Sequence, residues 1–276
     1  MLAFAANSLL TRMALGAGLI DAASFTALRM VSGAVLLLLI ALPRWLRLGR
    51  PPMNGLAALM LFAYMACFSF AYLSLSAGTG ALLLFGAVQL TMFIAALRAG
   101  EYFAPLSWGG FALAVAGLVF LVSPGLAAPD PLGTLLMLAA GVAWGFYSLL
   151  GRGAADPLRA TAGNFILGVP LALALAGSVA LVQQEALKAQ AEGVWLAVAS
   201  GAFASALGYV IWYAALKGLT ATRAATVQLS VPVIAAAGGA VLLAEPLTPR
   251  LLAASAATLG GIAIVLLQKT GRRRNA

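Results

Sequence analysis

Polar and aromatic side chains recur inside long apolar runs of this sequence, where each needs a partner or a purpose. Asn7, Ser8 and Thr11 share one run, and Trp144, Tyr147 and Ser148 share another. Tyr64, Phe68 and Tyr72 recur every four residues, which puts them on one helical face. Ser205, Tyr209 and Tyr213 repeat that spacing, with Trp212 beside them. Phe85 and Gln89 are also four apart, and Thr226, Gln228 and Ser230 alternate. Aromatic walls carrying a few hydrogen-bonding groups suit reversible capture of a small organic solute. They do not suit bond chemistry. The sequence has no His, no Gly-rich phosphate loop followed by Lys and Ser/Thr, and no helical aspartate pair. The expected binding set is Asn7, Tyr64, Phe68, Phe85, Gln89, Trp144, Tyr147, Tyr209, Trp212, Tyr213 and Gln228. No catalytic residue, metal ligand or cofactor is expected, and the protein is not expected to be an enzyme.

Each of these residues also has a plainer reading. Tyr72, Trp212 and Tyr213 lie near helix ends, where aromatics form interfacial belts. Tyr64, Phe68 and Tyr209 are equally compatible with packing. Ser8, Ser148, Thr226 and Ser230 are of the type that hydrogen-bonds its own helix or a neighbour. Gln89 and Gln228 are harder to dismiss, because a primary amide has four hydrogen-bonding positions to satisfy. Arg29 lies about five residues, ~8 Å, into its helix. It can snorkel to the interface, pair with Asp21, or meet a substrate carboxylate. Glu101 and Glu245 each precede a proline at a helix boundary, which points to turn structure. Cys67, the single cysteine, reads as a small buried hydrophobe.

The elements that position these residues are membrane helices. The chain has 276 residues, 63% hydrophobic and 8% charged, with mean hydropathy +1.05. A soluble domain carries about 25% charged residues. Ten runs approach the ~20 apolar residues of a spanning helix: 1–15, 24–42, 55–75, 79–97, 105–123, 132–150, 161–182, 194–216, 222–243 and 250–268. Turn and charge signals such as PRWLRLGRPP (43–52) and SPGLAAPDP (123–131) separate them. The runs do not alternate as barrel strands do.

The net charge of +9 comes from 13 Arg and 3 Lys against seven acids. The basic residues are scattered singly between the apolar runs, so they read as topology signals rather than as a nucleic-acid surface. With a cytoplasmic N-terminus, twelve fall inside and three (Arg12, Lys188, Arg250) outside. The positive-inside rule therefore predicts that both termini are cytoplasmic. The Arg-rich, Lys-poor composition suggests a GC-rich bacterium, and so an inner membrane.

An internal repeat organises the ten runs. NSLLTR (7–12) resembles YSLLGR (147–152), and YLSL (72–75) resembles YAAL (213–216). Glu101, Pro105 and Gly117 share their spacing with Glu245, Pro249 and Gly261. The expected units are 1–125 and 126–276, with the N-terminal part of helix 1 expected to be missing. Five helices per copy is an odd number, so the second copy starts from the opposite side of the membrane. The predicted fold is an all-α integral membrane protein of ten transmembrane helices in two inverted five-helix repeats.

On its five-plus-five helices, its acidic-x3-Pro turn before the last helix of each half, and SVPV at 230–233, the chain resembles the EamA-type carriers of the drug/metabolite transporter superfamily. SFTALRMVSG (24–33) is similar to the YddG-type amino-acid exporters. The chain departs from internal symmetry where Asn164 stands in place of Arg29 and Val88 in place of Pro232. The resemblance implies that the first four helices of each half line a cavity and the fifth packs outside it. It implies outward transport of small metabolites, amino acids foremost. Nucleotide-sugar or sugar-phosphate carriers and drug exporters share the fold, and a non-transporting scaffold is the reading from another class. All seven acids fall in loops or at helix ends, which argues against a mid-membrane proton relay. The expected partners are a small-molecule substrate and the lipid bilayer, not nucleic acid, with the protein a monomer or a homodimer. Ala253, Ala257 and Gly261 suit close helix packing or a dimer face.

Overall fold

The computed structural model describes residues 1–50, 53–125, 128–152, 154–183, 188–216, 227–268 and 271–272. Within them the chain runs through ten helices: α1 Leu2–Gly16, α2 Ala22–Leu48, α3 Gly55–Ala71, α4 Ala77–Arg98, α5 Pro105–Val122, α6 Pro131–Gly151, α7 Pro157–Gln183, α8 over 191–216, α9 Ser230–Leu243 and α10 Pro249–Leu267. Helix α8 is continuous but changes pitch. Its middle, Ser200–Leu207, is a π-helix between two α-helical stretches. Seven of the helices are long and apolar enough to cross a membrane, and α3 and α9 are shorter apolar helices. The protein is an all-α integral membrane protein built as two inverted five-helix sets.

Local chemistry sets the helix starts. Asp21, Asn54, Ser76, Asp130 and Thr248 each accept a backbone N–H in the first turn of α2, α3, α4, α6 and α10. Pro105, Pro131 and Pro249 occupy first helical positions, where a missing N–H costs nothing. Helix α2 continues through Pro43 to Leu48, past its predicted end at residue 42. Residues 217–226, the predicted start of the ninth helix, lie outside the described residues.

Pairwise contacts show how the helices run. Small residues mark the places where backbones nearly touch. On α2 and α7, a Cβ at Gly33 would strike Phe165, and one at Gly168 would press on Met30. Gly33 is related to Gly168, and Met30 to Phe165, by one and the same sequence offset. On α5 and α10, Gly117 abuts Ala254 and Thr258, while Gly261 abuts Gly110 and Ala114. Here too a single offset relates Gly110, Ala114 and Gly117 to Ala254, Thr258 and Gly261. In both pairs, higher numbers on one helix meet lower numbers on the other, so the helices are antiparallel. Exchanging the two halves maps each contact onto its twin. An inverted repeat requires this relation.

The other contacts follow the same rule. α3 runs antiparallel to α6 (Tyr64 near Trp144, Leu75 near Gly133), and α1 antiparallel to α8 (Ala3 near Gly208, Asn7 near Ser200). α4 runs parallel to α6, with Ala87 at Gly141 and Thr91 at Gly145. Ten alternating spans would produce these directions. A short antiparallel pair, β1 Glu101–Tyr102 and β2 Gly271–Arg272, ties the C-terminal tail to the α4–α5 loop at the end that carries both termini.

One expectation shifts by a fraction of a turn. The face of α10 that packs on α5 carries Ala254, Thr258 and Gly261, whereas Ala253 is exposed and Ala257 half-exposed. Replacing Gly117 or Gly261 with valine is expected to cost ~1–3 kcal/mol by overpacking. Alanine at Gly109 or Gly260, where an added Cβ meets nothing within 4 Å, should cause no loss. Thermal unfolding in detergent micelles measures the difference.

Candidate functional site

At the centre of the bundle a hydrogen-bonded chain crosses between the halves. Ser200 Oγ and Ser205 Oγ donate to Asn7 Oδ1 at 2.8 and 3.3 Å. Arg29 Nε donates to Ser205 Oγ at 3.2 Å, and Arg29 Nη2 donates to Tyr64 Oη at 3.0 Å. Asn7, Arg29 and Tyr64 come from α1, α2 and α3; the two serines come from α8. The π-helical turn presents both serines to α1 and α2, a use to which such wide turns are often put. Gly201 lets that turn approach so closely that an added Cβ would meet the carbonyl of Arg29.

Arg29 neither snorkels nor pairs with Asp21. Its exposure is 0%, and Asp21 caps its own helix through Ser24. Among the described residues it forms no ion pair, and Nη1 has no hydrogen-bond partner. Its guanidinium carbon lies 4.8 Å from the Phe68 ring centroid and 5.3 Å from that of Tyr64, within cation–π range.

Aromatic rings continue outward from the arginine. Tyr64 meets Phe68 at 5.4 Å and Trp144 at 4.9 Å. Trp144 packs on Tyr147 at 5.4 Å and stacks on Tyr209 at 5.2 Å. Phe165 and Phe4 close on Tyr209, both at 6.0 Å, and Phe4 also meets Trp212 at 5.9 Å. Six of the expected residues therefore converge in one cluster with Asn7: Tyr64, Phe68, Trp144, Tyr147, Tyr209 and Trp212. Tyr72 belongs to its edge rather than to an interfacial belt. It is fully buried against Phe68 and donates to the Ala77 carbonyl.

The remaining expected residues lie elsewhere. Phe85 is buried in the apolar core, and Gln228 is half-buried just before α9. Gln89 faces a separate cavity of about 200 Å³, lined also by Phe93, Glu101, Phe103, Arg152 and Gln268. That cavity borders α5 and α10, so the fifth helices are not wholly outside the chambers of the protein. Tyr213 lies on α8 with its side chain outside the described residues, and Thr226 is outside them altogether. Ser148 and Ser230 bond their own helix backbone, at Trp144 and Val227.

Three features were missed from the sequence. Phe4 stands to Trp144 at the same offset that relates NSLLTR to YSLLGR, so the repeat itself pointed to it. Arg29 reads from the sequence as a helix-end residue and is not among the expected set. Glu245 does more than turn the chain. At the end away from the termini, its carboxylate accepts from Arg12 Nε at 3.0 Å and from the Ala77 backbone N–H at 2.8 Å. Arg12 Nη1 also donates to the Tyr72 carbonyl at 3.1 Å. Nearby, Gln190 N–H donates to the Leu19 carbonyl and Asp21 N–H to the Lys188 carbonyl. Bonds between the halves join this end.

Comparison with known proteins agrees with this architecture. Residues 131–267 match the EamA-like transporter family. Over 274 residues the chain is 54% identical to the uncharacterized protein PA1977 of Pseudomonas aeruginosa, covering 99% of this chain and 93% of that one. The chain belongs to the EamA-like transporter family. An uncharacterized transporter of Archaeoglobus fulgidus is 31% identical over 164 residues, 58% of this EamA-family chain and 57% of its relative. A protein of solved crystal structure superposes with TM-score 0.65 at 22% identity, over 96% of each chain, and shares the fold. The family match lies in the second half of this transporter, and the inverted contacts relate the first half to it.

Asn7→Ala would remove the acceptor of two buried hydroxyls. It is expected to cost ~0.5–1.5 kcal/mol, while Ser148→Ala, whose hydroxyl bonds its own helix, should be nearly neutral. Melting temperatures of the two variants in one detergent provide the comparison.

Proposed function

We propose that this transporter carries small metabolites outward across a bacterial inner membrane, amino acids including aromatic ones foremost, by alternating access. The carrying observation is the aromatic and polar cluster that both halves build together. A solute held there touches α1–α3 on one side and α6–α8 on the other, so rocking one half against the other re-exposes it to the opposite compartment. The proposed binding residues are Asn7, Tyr64, Phe68, Trp144, Tyr147, Tyr209 and Trp212, with Arg29 added. Residues 1–125 and 126–276 are the proposed moving units, and both termini are assigned to the cytoplasm on the charge distribution. Similarity of residues 24–33 to YddG-type exporters supports the amino-acid reading.

Energy coupling follows from the placement of the acids. The described carboxylates sit at helix ends or between helices, away from the cluster: Asp21, Asp130 and Asp156 cap helices, Glu192 lies in the first turn of α8, Glu101 in the short β1 and Glu245 in the loop before α10. The proposal is therefore facilitated export of neutral or zwitterionic solutes without an obligatory proton relay. Nucleotide sugars and sugar phosphates rank lower, since dianions call for several basic groups and, among the described residues, Arg29 is the one cation bonded to side chains of the cluster.

Purified protein in liposomes tests this. Labelled phenylalanine and threonine should exchange in counterflow without a pH gradient. Trp144→Ala should slow exchange at least tenfold while leaving the protein monodisperse. Exchange of a nucleotide sugar in place of the amino acids, or strict dependence on a proton gradient, would overturn the reading.

A further inference from the structure

We infer that Arg29 is the residue that selects substrates carrying a carboxylate, by receiving that group on Nη1. This rests on the transport reading for where the substrate sits, but it stands on its own observation. A guanidinium carries five N–H donors and cannot shed its charge. Here Nε is taken by Ser205 and Nη2 by Tyr64, while Nη1 is buried without a partner. No acidic side chain among the described residues pairs with it. A buried cation lacking an anion is unstable relative to one that has it. Two neutral hydroxyls and two ring faces relieve only part of that cost. The bundle is therefore missing an anion beside Arg29, and an arriving carboxylate would supply it with charge-assisted hydrogen bonds. The rings of Phe68, Tyr64 and Trp144 would wall the apolar remainder of the same molecule. The class is an organic carboxylate with an apolar or aromatic side chain.

The test is binding rather than flux, so it fails separately from the transport reading. Purified full-length protein is titrated with phenylalanine, phenylalaninamide, 3-phenylpropionate and phenethylamine, following tryptophan fluorescence and thermal shift. Wild type should favour the two carboxylates over their carboxylate-free counterparts by roughly 10- to 100-fold. Arg29→Gln should erase that preference and Arg29→Lys should keep part of it. Equal binding of phenylalanine and phenylalaninamide by wild type would overturn the inference without any variant, even if Arg29→Gln fails to fold. A preference retained in folded Arg29→Gln would overturn it as well. Carboxylate selectivity without counterflow would sink the transport reading and leave this one standing.

A second observation independently carries a second inference. We propose that Arg12–Glu245 and Arg152–Glu101 are alternating gates, each formed only when its own end is closed. The repeat carries Arg12 onto Arg152, at the ends of NSLLTR and YSLLGR, and Glu101 onto Glu245, before their equivalent prolines. Both glutamates follow a residue in the left-handed conformation, Gly100 (φ 80°) and Ala244 (φ 52°), so the two turns share an unusual backbone. The ends nevertheless differ. Arg12 and Glu245 are bonded at 3.0 Å, while Glu101 and Arg152 both line the 200 Å³ cavity and form no ion pair with each other. Inverted halves exchange the environments of their two ends when the carrier turns over. The unmade pair at the cavity end is thus the counterpart of the made pair, and it would form as the Arg12 end opens.

Cysteine accessibility reads this out. Thr11 and Ser148 lie one and four residues before the gate arginines. Thr11→Cys and Ser148→Cys are placed in a Cys67→Ala background and treated with a membrane-impermeant maleimide from each side. Glu245→Gln should raise labelling of Thr11→Cys several-fold, and the charge swap Arg12→Glu with Glu245→Arg should return it toward the starting level. Glu101→Gln should leave Thr11→Cys protected and lower exchange. Unchanged labelling of Thr11→Cys in Glu245→Gln, or equal exposure by Glu101→Gln, would overturn the gate. Shifted labelling without any solute exchange would instead count against the transport reading.

Discussion

Backbone must meet backbone where the two halves join, because lipid tails are as apolar as leucine and give helices little hydrophobic reason to associate. What remains is close van der Waals contact and interhelical hydrogen bonding. The seams between α2 and α7 and between α5 and α10 obtain the first through Gly33, Gly168, Gly117 and Gly261, where even a methyl group would collide or crowd. Each of these glycines has a twin across the pseudo-two-fold. The seams therefore accept only one register, and that register fixes where α1, α3, α6 and α8 bring their polar side chains. The aromatic and polar cluster is a consequence of the seams.

The cluster itself departs from the rule that a membrane core should be apolar. Asn7, Ser200, Ser205, Arg29 and Tyr64 form one connected chain, and its bonds cross between halves at Asn7 to both serines and at Arg29 to Ser205. Such bonds specify partner and orientation more than they add stability, since the serines could hydrogen-bond their own helix instead. A chain of this kind can be remade one link at a time. A packed leucine interface would have to open all at once.

Helix count, inversion and the aromatic faces were legible in the sequence, because each rests on a period or an offset: Tyr64, Phe68 and Tyr72 at four-residue spacing, Glu101 and Glu245 before equivalent prolines. Places where two distant segments cooperate were not legible. Nothing in the neighbourhood of Arg29 announces that a π-helical turn 176 residues away will hand it Ser205. Hydropathy makes an arginine five residues into a helix look like a snorkelling residue, since that reading assumes lipid on every side. Gln89 shows the opposite error. Its spacing from Phe85 puts it on the same helical face, yet α4 is gripped by α6 on one side and approached by α5 and α10 on another. The face it shares turns toward a separate cavity.

The two ends of the bundle also set how the halves can move. At the Arg12 end the halves are joined by an ion pair and by backbone bonds between residues 19–21 and 188–190. At the other end Arg159 donates to the carbonyls of Leu48, Gly49 and Arg50, and Arg44 lies 3.6 Å from Asp156. These latter contacts tie α7 to the end of α2 beside the α2–α7 seam, while on the Glu101–Arg152 side the β1–β2 pair joins the α4–α5 loop to the C-terminal tail. The two ends are thus joined differently: an ion pair and backbone bonds bridge the Arg12 end, while Arg159, Arg44 and the β1–β2 pair bridge the other. Discrete switching between two packed arrangements, rather than continuous loosening, is what such a geometry favours.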